Sequence, residues 1–135
     1  MKKESIPYVS PMNMKTALSN AVAVEIAPGK KLVWIAGQLP FDENGQFVGV
    51  GDIAVQTEQA IRNIQGHLAK FCATLDNVVV MELYVKRITD LKAIHEVRLK
   101  YFKEPYPAST LVQISELAHP DCLIEISAQA VVDVN

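Results

Sequence analysis

The sequence predicts an α+β domain: a mixed sheet with two helices packed on one of its faces. Three observations carry this. The apolar spacing switches between two-residue and three- to four-residue periods in the order strand, strand, long helix, strand, helix, strand, strand. Helices separate only the second, third and fourth strands, so the segregated helix-on-sheet layer fits better than strict strand–helix alternation. The last strand segment, Leu123 to Val132, is apolar on both sides, so a second sheet face needs a cover, and a partner subunit is the simplest one.

The elements follow in order. Residues 1–17 mix Pro, Ser, Met and Lys and read as a lead-in with little regular structure. Ser19 to Glu25 alternates weakly as a strand, and Pro28-Gly29-Lys30-Lys31 is a turn. Leu32 to Ala36 is a short apolar run of the buried-strand type, ending at Gly37-Gln38-Leu39-Pro40. Asp42-Glu43-Asn44-Gly45 is a turn, and Asp52 is a helix N-cap candidate. From there Ala60, Ile61, Ile64, Leu68, Phe71, Cys72 and Leu75 make one apolar stripe on a helix of about twenty residues. Val78 to about Arg87 is a strand. Asp90 caps a second helix whose stripe is Leu91, Ile94, Tyr101 and Phe102. At 100° per residue His95 and Arg98 point into that stripe, two polar side chains on a packing face. Pro105 and Pro107 stop the helix, and Ala108 to Ile114 and Leu123 to Val132 are the last strands.

Length and charge narrow the function. The 135 residues make one domain, 1–135, and with half of them hydrophobic and 21% charged the balance is globular rather than disordered. Thirteen basic against fifteen acidic residues give a net charge of -2, which argues against a dedicated nucleic-acid binder, since phosphate neutralisation needs a basic face. Only Arg62, Arg87 and Arg98 can supply a planar guanidinium. Cys72 and Cys122 are too few for a disulfide framework and lack metal spacing. No run approaches a membrane span, and the N-terminus, broken by Pro7 and Pro11, is no secretory signal. A cytoplasmic protein with no membrane partner is expected.

The chemistry-bearing residues are sparse. His67, His95 and His119 show no ligand spacing, so no metal site is expected. No dinucleotide, Walker or nucleophile-elbow motif is present. Both cysteines read as reduced and mostly structural: Cys72 falls on the helix stripe as an inert thiol, and Cys122, in a loop, has no pattern that ranks it as a nucleophile. Glu125 stands apart, because alternation puts Glu125, Ser127 and Gln129 on one strand face and Ile124, Ile126 and Ala128 on the other. It is either a solvent-facing carboxylate or a cleft carboxylate that holds a water or donates a proton.

Residues 19–132 resemble the YjgF-type, or Rid (reactive intermediate deaminase), family, also called endoribonuclease L-PSP. The matching pieces, in order, are Ser19-Asn20-Ala21-Val22, Trp34 through Pro40, Gln56 through Leu68, Tyr84-Val85-Lys86, Tyr101-Phe102, Pro107 through Val112 and Ile124 through Val131. The resemblance implies a chorismate-mutase-like α+β fold and a homotrimer with a central barrel and ligand clefts between subunits. It also implies hydrolysis of reactive enamines and imines to keto acids and ammonia, with no metal or organic cofactor.

The family's cleft residues carry over only in part. Gly37 matches its glycine and Glu125 its glutamate. Its carboxylate-clamping arginine would stand at Ser109, its cysteine at Leu111, its tyrosine at Leu18 and its asparagine at His95, and the loop at Ala118-His119-Pro120 is one residue longer. The chain thus resembles a branch without the usual arginine, and an altered substrate range is expected. In the expected cleft Glu125 orients water or acts as general acid, the Gly37 amide holds the substrate's polar end, Ser109 and Thr110 line the pocket, and His95 carries protons. Arg98 either substitutes for the clamp or forms an intersubunit salt bridge with its stem packed on apolar surface. Two alternatives stand beside this hydrolase: a small-molecule-binding trimer without catalysis, and a ribonuclease, which the charge disfavours.

Overall fold

The computed structural model describes residues 1–134. Its six-stranded sheet is built from β1 (Lys3–Pro7), β2 (Ser19–Ala27), β3 (Lys30–Gln38), β4 (Val78–Val85), β5 (Ala108–Gln113) and β6 (Ile124–Asp133). The spatial order is β1-β2-β3-β6-β4-β5. Only β4 and β5 run parallel, and the helix α2 (Leu91–Tyr101) lies in the crossover between them. The long helix α1 (Ile53–Ala69) connects β3 to β4. The two helices pack on each other and α1 packs on β3 and β6, so the helical layer covers one sheet face.

The core lies between sheet and helices. Ile61, Ile64 and Leu68 of α1 meet Val33 and Ile35 of β3, Met81 and Leu83 of β4, and Ile124 and Ile126 of β6, all buried. The opposite face has no covering layer among the described residues. Trp34 there is 40% exposed, beside half-buried Glu82, Tyr84, Glu125 and Ser127. The expected uncovered face is thus present in the single chain. No helix among the described residues is long and apolar enough to cross a membrane.

Four local readings are corrected. The lead-in holds a strand: β1 pairs antiparallel with β2, Ser5 opposite Val22 and Ile6 opposite Ala21. Being an edge strand, it buries only Ile6, and so shows no alternation to read; Lys31 of β3 reaches the Glu4 carboxylate. Helix α1 is shorter than expected, because the Cys72 and Ala73 amides turn back onto the Ala69 and Leu68 carbonyls in a Schellman-type closure. Cys72 therefore leaves the stripe: it is exposed, with a left-handed φ of 57°. Asp90 does not cap α2 with its side chain, which instead accepts from Arg87 Nε at 3.2 Å. Finally, Val97 joins Ile94 on the buried side of α2, leaving His95 and Leu91 exposed and Arg98 half-buried. By contrast, Asp52 caps α1 as expected, accepting from the Val55 amide at 3.1 Å.

Candidate functional site

The site grows from the point where β3 leaves the sheet. Register between β3 and β6 shifts between Ile35 and Gln38, so a bulge at Ala36-Gly37 re-aims the backbone there. The Glu125 carboxylate lies in the space this opens. A Cβ on Gly37 would fall 2.7 Å from Glu125 Cδ and overlap the carboxylate itself, so any side chain there would displace Glu125. Burial pushes the Glu125 carboxyl up from the usual carboxylate range, which favours its neutral, proton-carrying form.

Glu125 sits opposite Tyr84 of β4. The Tyr84 hydroxyl donates to Glu82 Oε2 at 2.8 Å, and this bond to a carboxylate holds the phenol above its ordinary pKa. Glu82 in turn lies opposite Ser127. A hollow of about 100 Å³ opens beside it, lined by Trp34, Val80, Glu82, Ser127 and Gln129. No motif singles out the Glu82–Tyr84 pair in the sequence, although alternation along Val78–Val85 places both on one face.

The loop feeding β6 is tied to α1 by buried Gln56. Its Nε2 donates to the Gly49 and Asp121 carbonyls, both at 2.9 Å, and its Oε1 accepts from the Leu123 amide at 2.8 Å. The adjacent Cys122 thiol is buried and pushed up to about 11, chiefly by that burial, so it stays protonated and inert.

On the other side of Gly37 the chain forms a wide groove of about 1120 Å³ between residues 7–11, the 39–46 loop and α1. Gln38 at its floor is buried and donates to the Ala36 carbonyl at 2.9 Å, leaving its Oε1 to accept from His67 Nε2 at 3.1 Å. The bond thus sets the His67 tautomer. Burial, with Lys70 nearby, depresses the His67 pKa.

The remaining site residues stand at the far edge of the sheet. Ser109 pairs with Met81 and Leu111 with Leu83, so both occupy the helix-facing side of β5, whereas Thr110 pairs with Glu82 on the open side. Arg98 of α2 reaches this edge, its Nη2 donating to Ser109 Oγ at 3.0 Å. His95 is exposed one turn earlier on the same helix. Leu18, 49% exposed, immediately precedes β2. Within one chain, then, Gly37 and Glu125 come together, and so do Arg98 and Ser109. The two pairs are separate, because β4 lies between β6 and β5 and the residues face opposite sides of the sheet.

The chain and its fold have known counterparts. A family model described as endoribonuclease L-PSP matches residues 12–132. The 3-aminoacrylate deaminase RutC of Acinetobacter baylyi is 38% identical over 99 residues, 73% of this chain and 78% of that protein. A RutC family protein of Pyrococcus abyssi is 40% identical over 99 residues, 73% of this chain and 76% of its own. Among solved structures, a YjgF/YER057c/UK114 family member from Mycobacterium tuberculosis superposes with a TM-score of 0.78 at 30% identity, covering 97% of this chain and all of that one. RidA from an Antarctic Psychrobacter gives 0.74 at 25% identity, covering 96% and 94%. With nearly its whole length matched in both sequence and fold, the chain belongs to the endoribonuclease L-PSP family, that of YjgF and the Rid proteins.

Proposed function

We propose that this protein is a hydrolytic deaminase of small imines or enamines. The single observation that carries the reading is the half-buried Glu125 carboxyl seated against Gly37, with its proton affinity raised by burial. Hydrolysis of a C=N bond needs a group that gives a proton to nitrogen and guides water to carbon. Water adds to the carbon, the carbinolamine nitrogen takes a proton and leaves as ammonia, and a carbonyl remains. A carboxyl whose pKa is shifted toward neutrality suits both transfers. The Gly37 amide, freed from sheet register by the bulge, is the donor for the substrate's polar end. The relative named a 3-aminoacrylate deaminase supports the reaction class.

The reading includes a homotrimer. The open sheet face packs against neighbours, and the cleft forms where the β5 edge of one subunit meets Gly37 and Glu125 of the next. Ser109, Thr110, Leu111, Arg98 and His95 then form one wall, with Leu18 near the other. The test is turnover of freshly generated 2-aminoacrylate and 3-aminoacrylate, followed by ammonia release. Glu125→Gln should lower kcat by about a hundredfold or more, the loss expected of a proton-transferring group. Retained activity would remove Glu125 from the mechanism.

A second reading, a binding trimer without catalysis, rests on Leu18 and Leu111, apolar groups at positions where the family resemblance implies a phenol and a thiol. Metabolite binding without turnover on any ligand found would support it.

A further inference from the structure

The chain leaving β3 is held to α1 by two side chains one helical turn apart. Asn63 Nδ2 donates to the Leu39 and Phe41 carbonyls at 3.1 and 2.9 Å. His67, half-buried, reaches the strand itself through Gln38. The bulge makes that second contact possible. Ile35 pairs with Ala128 and Gln38 with Ile126, so Ala36 and Gly37 together oppose Ser127 alone. One extra residue turns the alternation over. The Gln38 side chain therefore lies on the buried, helix-covered side with Ile35 instead of the open side.

Two backbone carbonyls fix the protons in this contact. The Pro7 carbonyl can only accept, so Asn20 turns its Nδ2 to it at 3.1 Å and its Oδ1 toward Gln38 at 3.5 Å. The Ala36 carbonyl can only accept, so Gln38 gives it Nε2 at 2.9 Å and turns Oε1 to His67. His67 must then carry a proton on Nε2, the nitrogen 3.1 Å from that oxygen. Burial lowers the pKa of the ring, so at neutral pH its Nδ1 is bare.

The Ala36 carbonyl belongs to the same peptide unit as the Gly37 amide. That unit is trans and planar, so its C=O and N–H point in opposite directions. A bond that pins the carbonyl on the Gln38 side aims the N–H the other way, and by polarising the peptide makes it a stronger donor. The bulge takes this unit out of the regular ladder, and glycine has the freest backbone of any residue, so the plane needs such a hold.

We propose that His67 is a positioning residue: through Gln38 it fixes the Ala36–Gly37 peptide plane and so presents the Gly37 N–H to the substrate. Glu125 is delivered by the sheet, whereas this donor is set from the helical layer. The inference rests on the deaminase reading for the identity of the substrate but not for the hold on the amide.

The test joins NMR of the intact, isotope-labelled protein to kinetics. In the wild type at neutral pH the His67 ring should be the Nε2–H tautomer, and the Gly37 amide should show the order parameter of rigid backbone, about 0.85. His67→Phe keeps a ring and removes the donor. The Gly37 order parameter should then fall toward about 0.6, while that of Val33, upstream in the same strand, stays unchanged. His67→Gln, which keeps a side-chain N–H, should restore it. With 2-aminoacrylate, His67→Phe should raise KM by roughly three- to tenfold, the worth of one neutral hydrogen bond, and change kcat less. A mere loss of folded protein would lower kcat and leave KM alone. His67→Gln should bring KM back toward wild type. An Nδ1–H tautomer, a Gly37 amide equally rigid in His67→Phe, an equal loss of order at Val33, or an unchanged KM would overturn the proposal. The wild-type tautomer needs no variant, so it tests the proposal even where His67→Phe does not fold. A wild type that turns over no imine or enamine, with the Gly37 amide responding as expected, would sink the deaminase reading and keep the hold on the amide. Turnover with a Gly37 amide indifferent to His67 would do the reverse.

Discussion

At the scale of single residues, the seat of the Glu125 carboxylate depends on one missing side chain. Gly37 leaves the volume that the Glu125 carboxylate fills, and the low polarity of that seat raises its pKa. Gly37→Ala would push the end of a flexible side chain rather than a backbone. We expect stability to fall by about 1–3 kcal/mol, the usual cost of overpacking. Turnover should fall much further, by about a hundredfold, because a displaced acid no longer meets the reacting atoms. Thermal melts beside initial rates check the split; equal losses would mean that Gly37 serves only the fold. The raised pKa has a thermodynamic sign as well. An acid that holds its proton more tightly folded than unfolded stabilises the fold at low pH, and that contribution is lost as pH rises through the folded pKa. The melting temperature of the wild type, measured relative to Glu125→Gln, should therefore decline from the ordinary carboxylate range up to the raised value and level off above it. A difference that grew in the opposite direction would show Glu125 held by a cation instead.

At the scale of elements, buried Gln56 ties α1 to the loop that leads into β6, the strand that carries Glu125. Its three hydrogen bonds join the first turn of α1 to the 49 and 121 carbonyls and to the amide that opens β6. Gln56→Leu keeps the volume but orphans these groups in the interior. We expect a loss of about 2 kcal/mol or more by denaturant titration, since each unsatisfied buried group costs about 1–3 kcal/mol. A neutral result would mean that water replaces the amide. The same elements show what sequence can and cannot disclose. Helix α1, β3 and β6 each bury a full face, so their periods were legible along with the Glu125 face. Edge strand β1 buries one residue and left no period. Cys72 continues the helical spacing numerically, yet the closure onto Leu68 and Ala69 ends the helix before it. The 100° spacing puts His95 and Arg98 on a packing face, but burial depends on how α2 rolls against α1, which puts Val97 inwards instead. The Arg98–Ser109 contact joins a helix to a strand across a crossover, so no local pattern announces it.

At the scale of the whole molecule, two separated residue pairs and an uncovered sheet face bear on the proposed trimer. A single chain holds the acid pair, Glu125 with Gly37, and the cation pair, Arg98 with Ser109, on opposite sides of the sheet with β4 between them. The open face exposes Trp34 and Val112, each about 40% accessible, which is apolar area a neighbour would remove from water. A cyclic assembly of identical chains brings unlike surfaces of adjacent subunits into contact, so the cation pair of one chain can meet the acid pair of the next. Subunit mixing tests this arrangement directly. Arg98→Gln and Glu125→Gln proteins, each impaired alone, are refolded together in equal amounts. A cleft is whole only when its cation side comes from a Glu125→Gln chain and its acid side from an Arg98→Gln chain, which random assembly produces in about one cleft in four. Activity should therefore return to roughly a quarter of wild type on mixing, and sedimentation should show trimers throughout. If both pairs served a cleft within one chain, no mixed assembly could contain an intact site, and the mixture would stay as impaired as its parts.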